Sequence, residues 1–188
     1  MEKITFIDLF AGVGGIRLGL ERAAQKFGLS SECVFTSEID DWACKTYRKN
    51  FPQDNHDPKN DITKQDASEI PDFDVLLAGF PCQAFSIAGK RCGFNDTRGT
   101  LFFDVARIIK EKQPKAFLLE NVKGLINHRS GKTLKVIMNT LVEDLGYNVQ
   151  YKILNAKDYG VAQNRERECI LLAFVQTSAA SASIILLL

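Results

Sequence analysis

Short apolar runs rich in β-branched and aromatic residues alternate along this chain with longer stretches in which apolar residues recur every three to four positions. The short runs predict strands near 4–9, 33–38, 74–79, 115–120, 147–154 and 168–174. The longer stretches predict helices. Residues 15–27 place Ile16, Leu18, Leu20 and Ala23-Ala24 on one stripe, Leu101–Lys112 repeats the pattern with Phe102, Val105, Ile108 and Ile109, and 133–145 forms a third amphipathic segment. Two of the strand runs, Val75-Leu76-Leu77-Ala78 and Ala116-Phe117-Leu118-Leu119, are apolar throughout, as befits strands covered on both faces. The alternation predicts an α/β fold built on a doubly wound, mostly parallel, Rossmann-like sheet. Residues 51–72 are polar and carry Pro52, Pro58 and Pro71, so they read as mostly loop, with room for a short strand around Asp61-Ile62.

Composition narrows this picture. A chain of 188 residues that is 45% apolar can bury one sizeable core, and we expect a single domain over 1–175. Residues 176–188 turn abruptly to Ser, Ala and aliphatic side chains without charge and stand apart as an atypical tail. Lys and Arg number 24 against 23 acidic residues, a net charge of +1, so any polyanionic partner must be met by a local basic patch. Five cysteines, at 33, 44, 82, 92 and 169, form no C-x-x-C pair and fit free thiols in a reducing compartment. His56 and His128 sit in polar surroundings without ligand-like spacing, which predicts solvated loop positions and no metal. The terminal Ile184-Ile185-Leu186-Leu187-Leu188 is far shorter than the ~20 residues of a membrane span, and the protein reads as soluble and cytoplasmic.

The chemistry gathers where strands end. The first strand runs into Phe10-Ala11-Gly12-Val13-Gly14-Gly15 and then a helix, an arrangement that lets main chain approach a nucleotide-like ligand. No Gly-Lys-Ser/Thr follows, which excludes a P-loop, and Arg17 occupies the position of the third glycine of a dinucleotide fingerprint. Glu38 follows the second strand at the distance where an acid meets ribose hydroxyls; alternatively it charges the first turn of the next helix, as Asp40 and Asp41 do. Phe80-Pro81-Cys82-Gln83 leaves the third strand and Glu120-Asn121-Val122 the fourth, so a thiol and a carboxylate converge on the ligand-binding edge of the sheet. A cysteine with an acid and no nearby histidine suggests addition to an electron-poor ring rather than hydrolysis. Arg165 and Arg167, two apart, point the same way on extended chain and can together bond a carbonyl, a phosphate or Glu120. The run 86–99, with three glycines and Lys90, Arg91 and Arg98, reads as a basic lid or a plain surface loop.

These motifs, in this order, resemble the DNA cytosine-5 methyltransferases, particularly those of bacterial restriction-modification systems. Asp8-Leu9-Phe10-Ala11-Gly12-x-Gly14-Gly15 is similar to the family's S-adenosylmethionine loop, Gly79-Phe80-Pro81-Cys82-Gln83-x-Phe85-Ser86 to its nucleophile motif, Glu120-Asn121-Val122 to its acid motif, and Gln163-Asn164-Arg165-Glu166-Arg167 to its paired arginines. The resemblance implies that Phe10 and Ile39 sandwich the adenine and that Glu38 holds the ribose. It implies too that Asp61-Ile62 read the adenine edge, and that Gly79, Pro81 and Leu101 complete the pocket. It implies catalysis by Cys82, Glu120, Arg165 and Arg167 on double-stranded DNA, with conversion of S-adenosylmethionine to S-adenosylhomocysteine. The family's target-recognition region is absent from the sequence, which leaves three readings: part of a larger enzyme, one chain of a split enzyme whose second chain supplies the rest, or a cofactor-binding module without activity.

That chemistry makes sense of the residues. Carbon 5 of cytosine is too electron-poor to attack a methyl sulfonium unless a nucleophile such as Cys82 first adds at carbon 6. The adduct needs its ring nitrogen protonated or hydrogen-bonded, a task for a buried carboxyl with a raised pKa, and Glu120 leaves a strand of apolar neighbours. Arg167 is the first choice for the base contact. Carbon 6 is inaccessible inside a stacked duplex, so the cytosine must be flipped out. A tRNA cytosine-5 methyltransferase should show Pro-Pro-Cys where Phe80-Pro81-Cys82 stands, and a nicotinamide dehydrogenase would leave Cys82 and Glu120 unexplained.

Overall fold

A computed structural model describes residues 3–81, 101–122 and 124–163, and the main chain of 166–174. Cys82, the basic run 86–99, Arg165 and the tail 176–188 lie outside the described residues. Six strands form one sheet: β1 (Lys3–Leu9), β2 (Ser30–Ser37), β3 (Val75–Ala78), β4 (Ala116–Val122), β5 (Asn148–Asn155) and β6 (Glu166–Phe174), in the order β2-β1-β3-β4-β6-β5. The helices are α1 (Gly15–Lys26), α2 (Asp41–Asn50), α3 (Leu101–Lys112), the short α4 (Gly124–Asn127) and α5 (Lys132–Asn139).

Residue parity along the central strands explains the layering. On β1 and β3, Ile4, Phe6, Val75 and Leu77 face one side and pack with Leu20 and Ala24 of α1. Ile7, Leu9, Leu76 and Ala78 face the other and pack with Phe102, Val105 and Ile109 of α3 and Ile137 of α5. Each such fully buried side chain contributes roughly 1.5–3 kcal/mol, which two covered faces collect twice along the same strand. A carboxylate locks the base of the sheet. Asp74 Oδ2 accepts from Thr5 N at 2.9 Å and from Thr5 Oγ1 at 3.0 Å, while its Oδ1 meets Lys115 Nζ at 2.6 Å.

β1, β2, β3 and β4 pair in parallel, and β6 runs antiparallel to both β4 and β5. The expectation of a mostly parallel sheet therefore holds for the half that carries the glycine loop. β2 starts at Ser30, earlier than its apolar run suggests, because Ser30, Ser31 and Glu32 pair with β1 along the outer strand of the described sheet, where polar side chains are tolerated. The third amphipathic segment divides into α5 and a π-helical turn, Thr140–Asp144. Between α2 and β3 the chain is loop with one 3-10 turn, Ala67–Glu69, and a single bridge, Glu38 to Lys59, rather than a strand at Asp61-Ile62.

The chain leaves β1 for β2 on one side and returns to β3 on the other. This reversal opens a crevice at the carboxyl ends of the parallel strands, where doubly wound sheets hold ligands. Main-chain bonds from Ala11 N to Ser37 O and from Gly79 N to Leu9 O tie the three strand exits together around it.

Candidate active site

The glycine loop takes left-handed backbone at three alternate residues, Phe10 (φ 54°), Gly12 (φ 56°) and Gly14 (φ 89°). For Phe10 this conformation costs on the order of 1–3 kcal/mol, the kind of strain that persists at a ligand site when its surroundings enforce it. Gly14 has no room for a side chain, since a Cβ would lie 2.1 Å from Phe51 of the segment that follows α2. Gly12 and Gly15 differ: a Cβ on either would meet nothing within 4 Å, so the loop presents bare main chain to open space. Ala11 is buried among Tyr47 and Phe51, and Phe10 is half-buried against the core.

Glu38 stands at the exit of β2, and its carboxylate accepts three main-chain N–H groups. Oε2 takes Gly12 N at 2.8 Å, and Oε1 takes Ile39 N at 2.7 Å and Asp40 N at 2.8 Å. The acid thus holds the glycine loop against the start of α2, and a carboxylate with three such bonds keeps capacity for a further donor. Asp40 caps α2 by accepting Ala43 N, and Asp41 pairs with Lys59, so these two serve the helix and its flank. Ile39 is 66% exposed and Trp42 75%, an apolar rim beside the loop. Asp61 is folded onto Thr63, whose hydroxyl, with Lys64, holds its carboxyl below the usual carboxylate range. Ile62 is 2% exposed and belongs to the core, so only its main chain is available to a ligand.

The second half of the site lies where β3 ends beside β4, with Ala78 opposite Leu119 and β4 running on to Val122. A Cβ at Gly79 would lie 3.4 Å from Glu120 Oε2 and 3.3 Å from Ile16 Cδ1, so the missing side chain gives the carboxylate its seat. Glu120 is half-buried rather than enclosed, which modifies the expectation of a buried carboxyl. Phe80 is buried and packs on Phe102, and Pro81 is exposed at the last described position before Cys82. Arg167 lies opposite Val122 in the β4–β6 register, which brings its main chain to the same end of the sheet as Glu120. Leu101 opens α3, half-buried.

Two contributions escaped the sequence reading. Asn121, named only as part of a motif, is 2% exposed and donates from Nδ2 to Phe80 O at 2.8 Å. Arg17, noted only as a departure from a glycine fingerprint, is 2% exposed beneath the loop. Its guanidinium lies over the Phe51 ring at 3.7 Å, donates to Tyr47 Oη at 3.0 Å and grips Asp54 with both terminal nitrogens. Tyr47 donates on to Asp8, whose carboxyl is pushed up to about 8, chiefly by burial. An arginine followed by an acid 37 residues later carries no local signal.

The same network corrects the reading of His56, which is half-buried and bonded to Thr36 Oγ1 at 2.8 Å. Among the described residues, donor atoms of Cys33, Asp54 and His56 lie within 4.8 Å of one another, a grouping that linear spacing does not reveal. These donors are already engaged. Arg17 holds Asp54, Thr36 holds the His56 nitrogen, and burial pushes the Cys33 thiol up to about 11. A guanidinium on the carboxylate also opposes a cation there. His128 bonds Thr133 Oγ1 at 2.6 Å. No helix among the described residues is long and apolar enough to cross a membrane.

Comparison with known proteins puts this arrangement in context. A family model described as C-5 cytosine-specific DNA methylase matches residues 4–183. Type II methyltransferase M.NlaIV of Neisseria lactamica is 58% identical over 174 residues, covering 89% of this chain and 40% of that protein. Type II methyltransferase M.HpaII of Haemophilus parainfluenzae is 60% identical over 169 residues, 88% of this chain and 45% of the relative. Among solved structures, a triple mutant of Spodoptera frugiperda DNMT2 superposes with a TM-score of 0.71 at 26% identity, covering 94% of this chain and 51% of that one. The chain therefore spans less than half the length of these curated relatives.

Proposed function

The chain belongs to the C-5 cytosine-specific DNA methylase family, and on that premise we propose that it is the cofactor-binding and catalytic part of a DNA (cytosine-5) methyltransferase. The observation that carries the reading is the seating of the Glu120 carboxylate against Gly79, at the strand exit that leads within three residues to Cys82. An acid and a thiol on neighbouring strands suit addition to a pyrimidine ring.

The crevice suits S-adenosylmethionine, which when bound supplies an electrophilic methyl group on a sulfonium sulfur. Gly12 and Gly15 leave main chain open to it, Glu38 offers an anionic acceptor for ribose hydroxyls, and Phe10 and Ile39 flank the space assigned to adenine. Asp61 and the main chain of Ile62 are assigned to the adenine edge, and Ala11, Gly14, Gly79, Pro81 and Leu101 to the pocket walls.

Cys82, as thiolate, adds to carbon 6 of a cytosine flipped from duplex DNA, and the ring electrons move toward carbon 5. Glu120 holds the proton shared with ring nitrogen 3, which stabilises the adduct. Once carbon 5 carries the methyl group, a base removes its hydrogen as a proton, the double bond re-forms and the Cys82 thiolate departs. Arg167, with Arg165, is assigned to the base carbonyl and the neighbouring phosphate. We assign residues 1–175 to this catalytic domain. Sequence-specific contacts generally bury about 1,000–2,500 Å² of protein surface, and we assign them to a target-recognition region elsewhere in the protein or on a second chain. The reading places the protein in the bacterial cytoplasm, on DNA.

The test is transfer from tritiated S-adenosylmethionine to mixed-sequence DNA, by the chain alone and with the downstream region of a relative added in trans. We expect labelling only with the added region, and Cys82→Ser should abolish it while retaining S-adenosylhomocysteine binding. Labelling that survives Cys82→Ser would overturn the mechanism.

A further inference from the structure

Strand β3 is only four residues long, and its pairing with β4 stops at Ala78 and Leu119. The chain runs on through Gly79 and Phe80 to Pro81, which has no N–H to offer a ladder. The Phe80-Pro81 peptide would thus leave the sheet without ladder pairing to the strand that carries the acid. Asn121 supplies that coupling with its side chain. Its Nδ2 donates to Phe80 O at 2.8 Å and its Oδ1 accepts Val122 N at 2.8 Å, so both ends of the amide are used and its orientation is fixed.

Alternation along β4 sharpens the point. Successive side chains on a strand point to opposite faces. Glu120 lies against Gly79, where a Cβ would also meet Ile16 of α1, whereas Asn121 reaches Phe80, whose ring is seated on Phe102 of α3. Two consecutive residues of β4 therefore hold the exit of β3 from its two sides, one offering the acid and the other fixing the peptide that leads to Cys82. Covalent geometry keeps a residue two positions further along within about 7 Å of the fixed one.

We propose that Asn121 is a positioning residue for the cysteine nucleophile, setting the departure of the Phe80-Pro81 segment relative to Glu120 through its bond to the Phe80 carbonyl. This rests on the methyl-transfer reading above. An offset of about 1 Å between reacting groups can cost on the order of a hundredfold in rate, so one buried amide at this point has leverage on the addition step and little on cofactor or DNA affinity.

The informative variant is Asn121→Asp, which matches the shape, keeps an acceptor for Val122 N and turns the donor facing Phe80 O into an oxygen. The experiment uses the full-length protein and duplex DNA carrying 5-fluorocytosine at the target, with Cys82→Ser as control, and follows the rate of covalent adduct formation at saturating DNA. S-adenosylhomocysteine affinity is measured in parallel. Native protein should form the adduct and Asn121→Asp should form it at least fiftyfold more slowly, with cofactor affinity within twofold and the DNA concentration for half-maximal rate unchanged. A purely structural role would instead lower cofactor affinity and leave the rate of the folded fraction intact. Should Asn121→Asp lose cofactor binding, Asn121→Ser takes its place with the same criteria. An adduct formed at the native rate by the cofactor-binding variant overturns the positioning role. Absence of any adduct in the native protein overturns the methyl-transfer reading itself.

Discussion

Two acids stand toward the carboxyl ends of strands in this sheet, Glu38 just after β2 and Glu120 two residues before the end of β4, and their surroundings differ. Glu38 is wrapped by three main-chain N–H groups, from Gly12, Ile39 and Asp40, which fix its carboxylate between the glycine loop and the start of α2. Glu120 rests half-buried against Gly79, where a Cβ would meet both its carboxylate and the Ile16 tip, beside the strand exit that leads to Cys82. Side-chain chemistry is the same in both. The difference lies in which backbone the fold turns toward each carboxylate.

The comparison is broken most directly at Glu120. Glu120→Gln should lower the methyl-transfer rate of the full-length protein by roughly 10²–10⁴-fold, the range of a lost acid-base group, and leave S-adenosylhomocysteine affinity within a few-fold. Single-turnover kinetics beside calorimetry would separate the two. A parallel loss of cofactor affinity would merge the roles that the geometry keeps apart.

Glu38→Ala should act in the opposite sense. Charge-assisted hydrogen bonds typically contribute about 1.5–3 kcal/mol each, so cofactor binding should weaken at least tenfold. Because Gly12 N loses its partner as well, the melting temperature should also fall, which a role confined to the ligand would not cause. Gly79→Ala tests the seat of Glu120 more gently. A Cβ at 3.3–3.4 Å from Ile16 and Glu120 asks its neighbours to give by a few tenths of an ångström, and a several-fold loss of rate with unchanged cofactor affinity is the expected result.

The smallest effect concerns Asp8, beneath the loop. Its carboxyl is raised from 3.8 to about 8 chiefly by burial, so between those values the folded protein retains a proton that the unfolded chain has released. Stability from this group is full below about pH 4 and declines as pH rises toward 8. Asp8→Asn removes the titration, and its melting temperature should fall less between pH 5 and 8 than that of the native protein, by roughly 2–4 °C for each kcal/mol involved. Thermal melts at the two pH values would decide it, and equal slopes would argue that Asp8 is charged when folded.

Much of this was legible in the sequence, and the losses have identifiable causes. The strand exits at Glu38 and at Gly79 could be placed because an apolar run followed by a polar or glycine-proline break marks a boundary without help from distant residues, whereas β4 runs two residues past Glu120. Strand direction is different, since the period-2 pattern of β5 and β6 is the same whether they run parallel or antiparallel. Their separation held a clue: residues 156–165 are too few for the dozen or more that a parallel crossover needs. Arg17, Asp54 and His56 form their network across 37 to 39 positions, and the acid and the histidine come from a proline-rich stretch with no periodicity to place it. Ile62 was assigned to the cofactor by resemblance, and its side chain lies in the core because the loop 51–72 folds inward there. The three hydrogen bonds to Glu38 and the two made by Asn121 depend on the angles at which neighbouring strands end, which composition does not encode.

The Asp74 clamp on Thr5 has a consequence for how the protein comes into being. It joins residues 69 positions apart, and β1, the earliest of these six strands in chain order, sits in mid-sheet between β2 and the much later β3. At roughly 5–20 residues per second, several seconds of translation separate β1 from the partner that completes it. During that interval β1, α1 and β2 can associate as a local unit, while the flank of β1 destined for β3 stays unpaired and open to the wrong strand. Pulse-labelled hydrogen exchange on ribosome-bound chains should find β1–β2 amides protected before Gly79 N has joined Leu9 O, so that the ligand crevice closes only after its first wall has formed.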